Sequence, residues 1–104
     1  MDIDELKRRT PHMTNVIGGL FYQGWYEDRS ANESLDLAFG YRSLEERLDI
    51  VGEIDVLLGA LPTESAVEEF VQSFDVDVDF QRDFDGDVRR WLSEARRVVK
   101  RLPS

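Results

Sequence analysis

His12 is the only histidine in the chain, so any His-based triad or acid–base pair has to use it. It follows Pro11 in a polar stretch, and no Gly-x-Ser-x-Gly elbow or phosphate-cradling glycine loop accompanies it. A di-iron bundle site wants Glu-x-x-His, but Arg9 stands three residues before His12. His12 is therefore expected at the surface or in a capping role. The chain has no cysteine, which excludes disulfides, thiolate zinc sites and cysteine nucleophiles. The sequence assigns no catalytic residue, cofactor or metal ligand, and the chain is expected not to be an enzyme.

The second place where residue types could do chemistry is the run 75–87. It holds six aspartates against Arg82, a charge of −5 within thirteen residues. Six carboxylates invite a calcium reading. A calcium loop of the helix–loop–helix kind needs oxygen ligands at positions 1, 3 and 5, Gly at 6 and Glu at 12. Starting at Asp75 puts Phe80 at 6 and Gly86 at 12. Starting at Asp83 puts Glu94 at 12 but Val88 at 6. Starting at Gln81 puts Gly86 at 6 but Leu92 at 12. No frame passes. Two readings stay open: a solvated loop that caps the last helix, or a negative surface that meets a basic partner. Nucleases carry basic clefts for the phosphate backbone, and an acidic inhibitor can fill such a cleft as a phosphate mimic.

Tyr22, Gln23, Trp25 and Tyr26 form an aromatic cluster beside the charged turn Glu27-Asp28-Arg29. Such clusters occur at interfaces; Trp25 reads equally well as a structural plug. Trp91 lies on an apolar stripe and reads as core. Arg89, Arg90, Arg96, Arg97, Lys100 and Arg101 make the C-terminal segment basic. They are expected on a polar helix face, paired with nearby carboxylates, rather than on nucleic acid.

The elements that must position these groups are helical. The 104 residues allow one domain. Eleven aromatics argue against disorder. Residues 1–11 read as a loosely ordered lead-in and 12–104 as a single helical domain. A first helix is expected from a cap at Thr14 or Asn15 to about Tyr22, with Gly18 and Gly19 kept for a bend or a close backbone approach. Ser30-Ala31-Asn32-Glu33, Ser43-Leu44-Glu45-Glu46 and Ser65-Ala66-Val67-Glu68 read as capping boxes. The second opens the strongest helix, whose expected inner stripe is Leu44, Leu48, Val51, Ile54, Leu58 and Leu61. Val67, Phe70, Val71 and Phe74 give the next helix its inner face. Residues 75–87 alternate like a strand but have no pairing partner. They read as an ordered loop pinned by Val76, Val78, Phe80 and Phe84. The last helix is expected to bury Val88, Trp91, Leu92, Ala95, Val98, Val99 and Leu102. The expected fold is all-α, with about five helices and the two long ones packed together.

One ordered set of landmarks carries a resemblance. The string Gly18-Gly19-Leu20-Phe21-Tyr22-Gln23-Gly24-Trp25 resembles the Leu-Leu-Gly-x-Tyr/Phe-Phe-His-Gln-Asp-Trp opening of the immunity proteins of contact-dependent growth inhibition systems. Ala38-Phe39, Ile54-Asp55-Val56-Leu57-Leu58, Glu68-Glu69-Phe70 and Trp91-Leu92-Ser93-Glu94-Ala95-Arg96 follow in the family's order, so the set spans about residues 13–100. Tyr22 and Gly24 stand where the family has His and Asp. Residues 74–79 replace its Leu-Gly-Cys-x-Tyr stretch. Immunity proteins diverge where they meet their own toxin, so the second departure marks a candidate interface.

The resemblance implies a protein that binds and neutralises one C-terminal toxin domain, without catalysis or cofactor. Asp77, Asp79, Asp83, Tyr22, Gln23, Trp25 and Tyr26 are the candidate toxin-binding residues. Neutralising the three aspartates is expected to slow association and leave folding little changed. The formal charge of −9 disfavours nucleic acid, membranes and self-association, so a monomer in a 1:1 complex is expected. An acidic adaptor or nucleic-acid mimic unrelated to toxins is the alternative. The acidic start Met1-Asp2-Ile3-Asp4-Glu5 lacks an apolar leader region, and the expected location is the cytoplasm.

Overall fold

Asp2 accepts a hydrogen bond from the Glu5 backbone N–H (2.8 Å) and opens a helix within the expected lead-in. The computed structural model describes residues 2–40 and 42–101. Its described residues form seven helices: α1 (Ile3–Arg9), α2 (Pro11–Leu20), α3 (Glu33–Phe39), α4 (Leu44–Ala60), α5 (Glu64–Gln72), α6 (Phe80–Phe84) and α7 (Val88–Arg101). A single 3-10 turn covers Trp25–Glu27. The all-α class holds, with seven helices rather than about five. One of the additional helices is α1, whose Leu6 is buried in the core; the other is α6. The molecule measures 34 × 33 × 20 Å, and its short axis fits two layers of helix at roughly 10 Å each.

Helix α2 starts at Pro11, three or four residues before the expected caps. Proline at the first helical position loses no useful N–H. Thr10 makes no side-chain cap. A buried carboxylate from α4 takes that role instead: Glu53 Oε1 accepts the Met13 backbone N–H (2.9 Å), and Oε2 lies 2.6 Å from His12 Nδ1. The helix dipole favours a negative group there. His12 is thus a partner to Glu53 at a helix start. Glu53→Gln keeps an acceptor but loses the charge. It is expected to lower folding stability by about 1–2 kcal/mol in urea unfolding; an unchanged midpoint would show that the carboxylate is not the cap.

Gly18 and Gly19 meet no passing backbone. A Cβ at Gly18 would touch only the Phe74 ring, at 3.6 Å, and one at Gly19 would meet nothing within 4 Å. Gly19→Ala is therefore expected to raise stability by about 1 kcal/mol, the helix propensity difference. A thermal melt that moves down instead would contradict this.

The three expected capping boxes differ in outcome. Ser30 and Glu33 close one completely: Glu33 N–H donates to Ser30 Oγ (3.1 Å) and Ser30 N–H to Glu33 Oε1 (3.0 Å). Hydrogen bonding from Ser30, its backbone N–H foremost, holds the Glu33 carboxyl below its ordinary pKa. Its contribution is present at neutral pH and lost as pH falls through the folded-state value. Ser43 caps α4 through the Glu46 N–H (3.2 Å). Helix α5 starts at Glu64 on a Thr63 cap, two residues ahead of Ser65, with Thr63 extended behind Pro62. The early start places Glu64 at the N-terminus of α7. Its carboxylate accepts the Val88 (2.6 Å) and Arg89 (3.1 Å) backbone N–H groups, while Asp87 accepts that of Arg90 (3.1 Å). Arg89 in turn donates to the carbonyls of Leu58 (2.8 Å) and Leu61 (3.0 Å) at the end of α4.

Helices α4 and α7 form the most extensive helix pair, as the long apolar stripes predict. On α7, Val88, Trp91, Leu92, Ala95, Val98 and Val99 are buried as expected; Leu102 lies outside the described residues. On α4 the inner face is displaced in phase. Ile50, Ile54 and Leu57 are fully buried, flanked by Arg47 and Glu53; of the expected stripe, Ile54 and Leu61 are buried and Val51 and Leu58 pack partly buried against the core, whereas Leu44 and Leu48 face solvent. Arg47 Nε has no hydrogen-bond partner among the described residues. Phe21, Trp25, Phe84 and Trp91 pack edge to face at the centre, with Phe21 4.7 Å from Trp25 and 5.5 Å from Trp91.

Candidate interaction surface

After α2 ends at Leu20, the chain reverses at Gly24, whose φ of +80° suits glycine. The reversal is locked to the segment that follows α5. Asp77 N–H donates to the Phe21 carbonyl (2.9 Å). Asp77 Oδ2 accepts from the Gly24 N–H (3.0 Å), and its carbonyl accepts from Trp25 Nε1 (2.6 Å). Trp25 fills the space beneath and has no exposed surface. These bonds hold the neighbouring Tyr22, Gln23 and Tyr26 outward. The two tyrosines are 50% and 38% exposed.

Two arginines back the tyrosines. Arg29 donates to the Leu20 carbonyl (2.7 Å), to Ser34 Oγ (2.9 Å) and to the Tyr22 hydroxyl (3.2 Å), with its guanidinium 5.4 Å from the Tyr22 ring centre. Arg82 lies 3.6 Å from the Tyr26 ring centre and pairs with both Asp83 oxygens (2.8 and 2.9 Å). The Asp83 bond holds the guanidinium above its ordinary pKa. Both contacts combine cation–π attraction with a fixed planar fork. Beside Tyr26 lies a shallow depression of about 460 Å³, lined by Glu27, Asp28, Arg29, Arg82 and Asp83 among others. A second, of about 470 Å³, adjoins it at Asp83 and runs between α6 and α7 past Asp85, Asp87, Arg90 and Arg97.

The seven residues picked out in the sequence divide into two groups. Tyr22, Gln23 and Tyr26 share the outer surface. Trp25 is excluded from direct contact, because it is wholly buried as the plug beneath them. The three aspartates are not free loop charges. Asp77 ties residues 21–25 together. Asp79 caps α6 through the Gln81 and Arg82 N–H groups (3.1 and 3.0 Å). Asp83 accepts the Asp79 N–H (2.9 Å), and its carboxylate is 4% exposed. The expectation that replacing all three would leave folding unchanged is corrected accordingly. The segment also contains α6, where the sequence predicts an ordered loop. Arg29 and Arg82 were not among the candidates. Arg29 was visible in the charged turn; Arg82 reaches Tyr26 only through the tertiary fold. Glu27 and Asp28 are exposed and make no ion pair among the described residues.

Of the basic side chains of α7, Arg89, Arg96 and Arg97 have partners, while Arg90, Lys100 and Arg101 are exposed and make no ion pair among the described residues. Arg96 pairs with Asp55 (2.6 Å) and Arg97 with Glu94, which raises both arginine pKa values and lowers that of Glu94. The ring nitrogen of His12 that faces away from Glu53 has no hydrogen-bond partner among the described residues. No three His, Cys, Asp or Glu side chains among them converge as a metal site would require. No helix among them is long and apolar enough to cross a membrane. The chain matches no protein-family profile, no curated protein and no solved structure.

Proposed function

We propose that this chain is an immunity protein of a contact-dependent growth inhibition system, binding one toxin domain in the cytoplasm as a monomer and blocking it. The observation that carries the reading is the outward Tyr22–Tyr26 pair on the Phe21–Asp77–Trp25 frame. Tyrosine and arginine, with tryptophan, are enriched among the few residues that carry most of the energy at protein interfaces. A frame fixed before binding spares the ordering cost that a flexible loop would incur. The landmark order from Gly18 to Arg96 supports the same reading.

The charge around the platform selects the kind of partner. Glu27 and Asp28 on one side and Asp85 and Asp87 on the other present carboxylates that make no ion pair among the described residues, which favour a basic surface. A nuclease toxin fits this chemistry, because its cleft is built for phosphates. Replacing Glu27 with Gln and Asp28 with Asn is expected to slow association several-fold at low salt and much less at high salt, with the melting curve unchanged. Equal on-rates at both salt levels would remove these carboxylates from the interface.

The functional test starts from the neighbouring gene: if it encodes a large exported protein, the C-terminal domain of that protein is co-expressed with this chain. Growth is expected to be restored, and Tyr22→Ala with Tyr26→Ala to abolish the rescue while the variant stays folded. Failure of the unaltered chain to restore growth would refute immunity to that toxin.

A further inference from the structure

The outer face of α4 carries features that folding does not use. Of the six large apolar side chains exposed among the described residues, Leu44, Leu48 and Val56 lie on this one helix, at 51%, 65% and 37% exposure. With Gly52 they recur every fourth residue, so they form one continuous ridge with a notch at the glycine. A Cβ at Gly52 would meet nothing within 4 Å, and the same is true of Gly59 further along. Interior glycine weakens a helix, and no neighbour within the chain requires it here. Exposed leucines and interior glycines thus coincide on one face, and both disfavour the free molecule.

Charge selects the occupant. Glu45 and Asp49 are exposed beside the ridge, and neither makes an ion pair among the described residues. On the other side Asp55 is held by Arg96. A second copy of the chain would bring the same carboxylates against each other in a molecule of charge −9. We propose that the α4 ridge docks an amphipathic helix of a partner protein, with apolar residues facing Leu44, Leu48 and Val56 and lysine or arginine facing Glu45 and Asp49. The helix would seat ridge into groove, with its closest approach at Gly52. This surface is independent of the Tyr22–Tyr26 platform and does not rest on the immunity reading.

The probe is a synthetic helical peptide with leucine along one face and lysine beside it, compared with a version carrying glutamate in place of lysine. Binding to the full chain is followed by fluorescence anisotropy, and backbone amide NMR locates it. The expected result is shifts along residues 44–56, affinity about tenfold weaker for the glutamate version, and a similar loss in the Leu48→Gln, Val56→Gln variant. That variant should melt as the unaltered chain does, since both side chains are solvent-facing. Equal binding of the two peptides, shifts confined to other helices, or undiminished affinity in the folded variant would each overturn the proposal. So would sedimentation showing that the chain alone dimerises through this face, with the same variant restoring the monomer.

Discussion

Trp25→Ala is expected to lower folding stability by about 4 kcal/mol, within the range for deleting a buried aromatic. The side chain has no exposed surface and packs edge to face against Phe21. Its indole N–H satisfies the Asp77 carbonyl at 2.6 Å, so the loss combines a cavity with an unpaired acceptor. Small domains have about 5–15 kcal/mol in total, so the variant should lie near the edge of folding at ambient temperature. Tyr26→Ala, one residue along, removes a partly exposed ring and is expected to cost no more than about 1 kcal/mol. Urea unfolding of the two variants separates the roles of adjacent aromatics. A loss below about 1 kcal/mol for Trp25→Ala would mean that the frame beneath the tyrosines is not built on it.

The second large effect is on α4. Ile54→Ala is expected to cost about 2–5 kcal/mol, since Ile54 is fully buried between α4 and the helices it packs on. Leu48→Ala should stay within about 0.5 kcal/mol, because Leu48 is 65% exposed. Read as a sequence, the two residues belong to one apolar stripe and should cost alike. Chemical denaturation of both variants decides between the stripe and the observed face; a large loss at Leu48 would restore the stripe.

The displacement on α4 shows where periodicity stops being informative. The helix has apolar residues around much of its circumference, so their spacing allows more than one inner face. Packing chose the face whose margins are Arg47 and Glu53, two charged residues that a hydrophobic stripe excludes. Glu53 is tolerated there because the start of α2 needs a carboxylate, a requirement set forty residues away in sequence. Helix α7 was legible because its apolar and charged residues separate cleanly. Helix α1 was not, since its burial rests mainly on Leu6 within a charged stretch. At the candidate surface, Tyr22, Gln23 and Tyr26 were readable from type and neighbourhood. The aspartates were misread because charge density says nothing about hydrogen-bond partners. Asp77 bonds to the Gly24 N–H, which only the folded chain brings near, whereas Asp79 and Asp83 bond to N–H groups two to four residues away at the start of a helix that the strand-like alternation conceals.

The central claim is that the Tyr22–Tyr26 platform binds a toxin domain. The most direct measurement is the affinity of the purified chain for the purified, detoxified C-terminal domain of an exported protein whose gene adjoins its own. Surface plasmon resonance should give saturable 1:1 binding, with dissociation faster by about tenfold or more for Tyr22→Ala with Tyr26→Ala, the scale of an interface hot spot. Absence of binding, or binding that the folded double variant retains at full strength, would contradict the account.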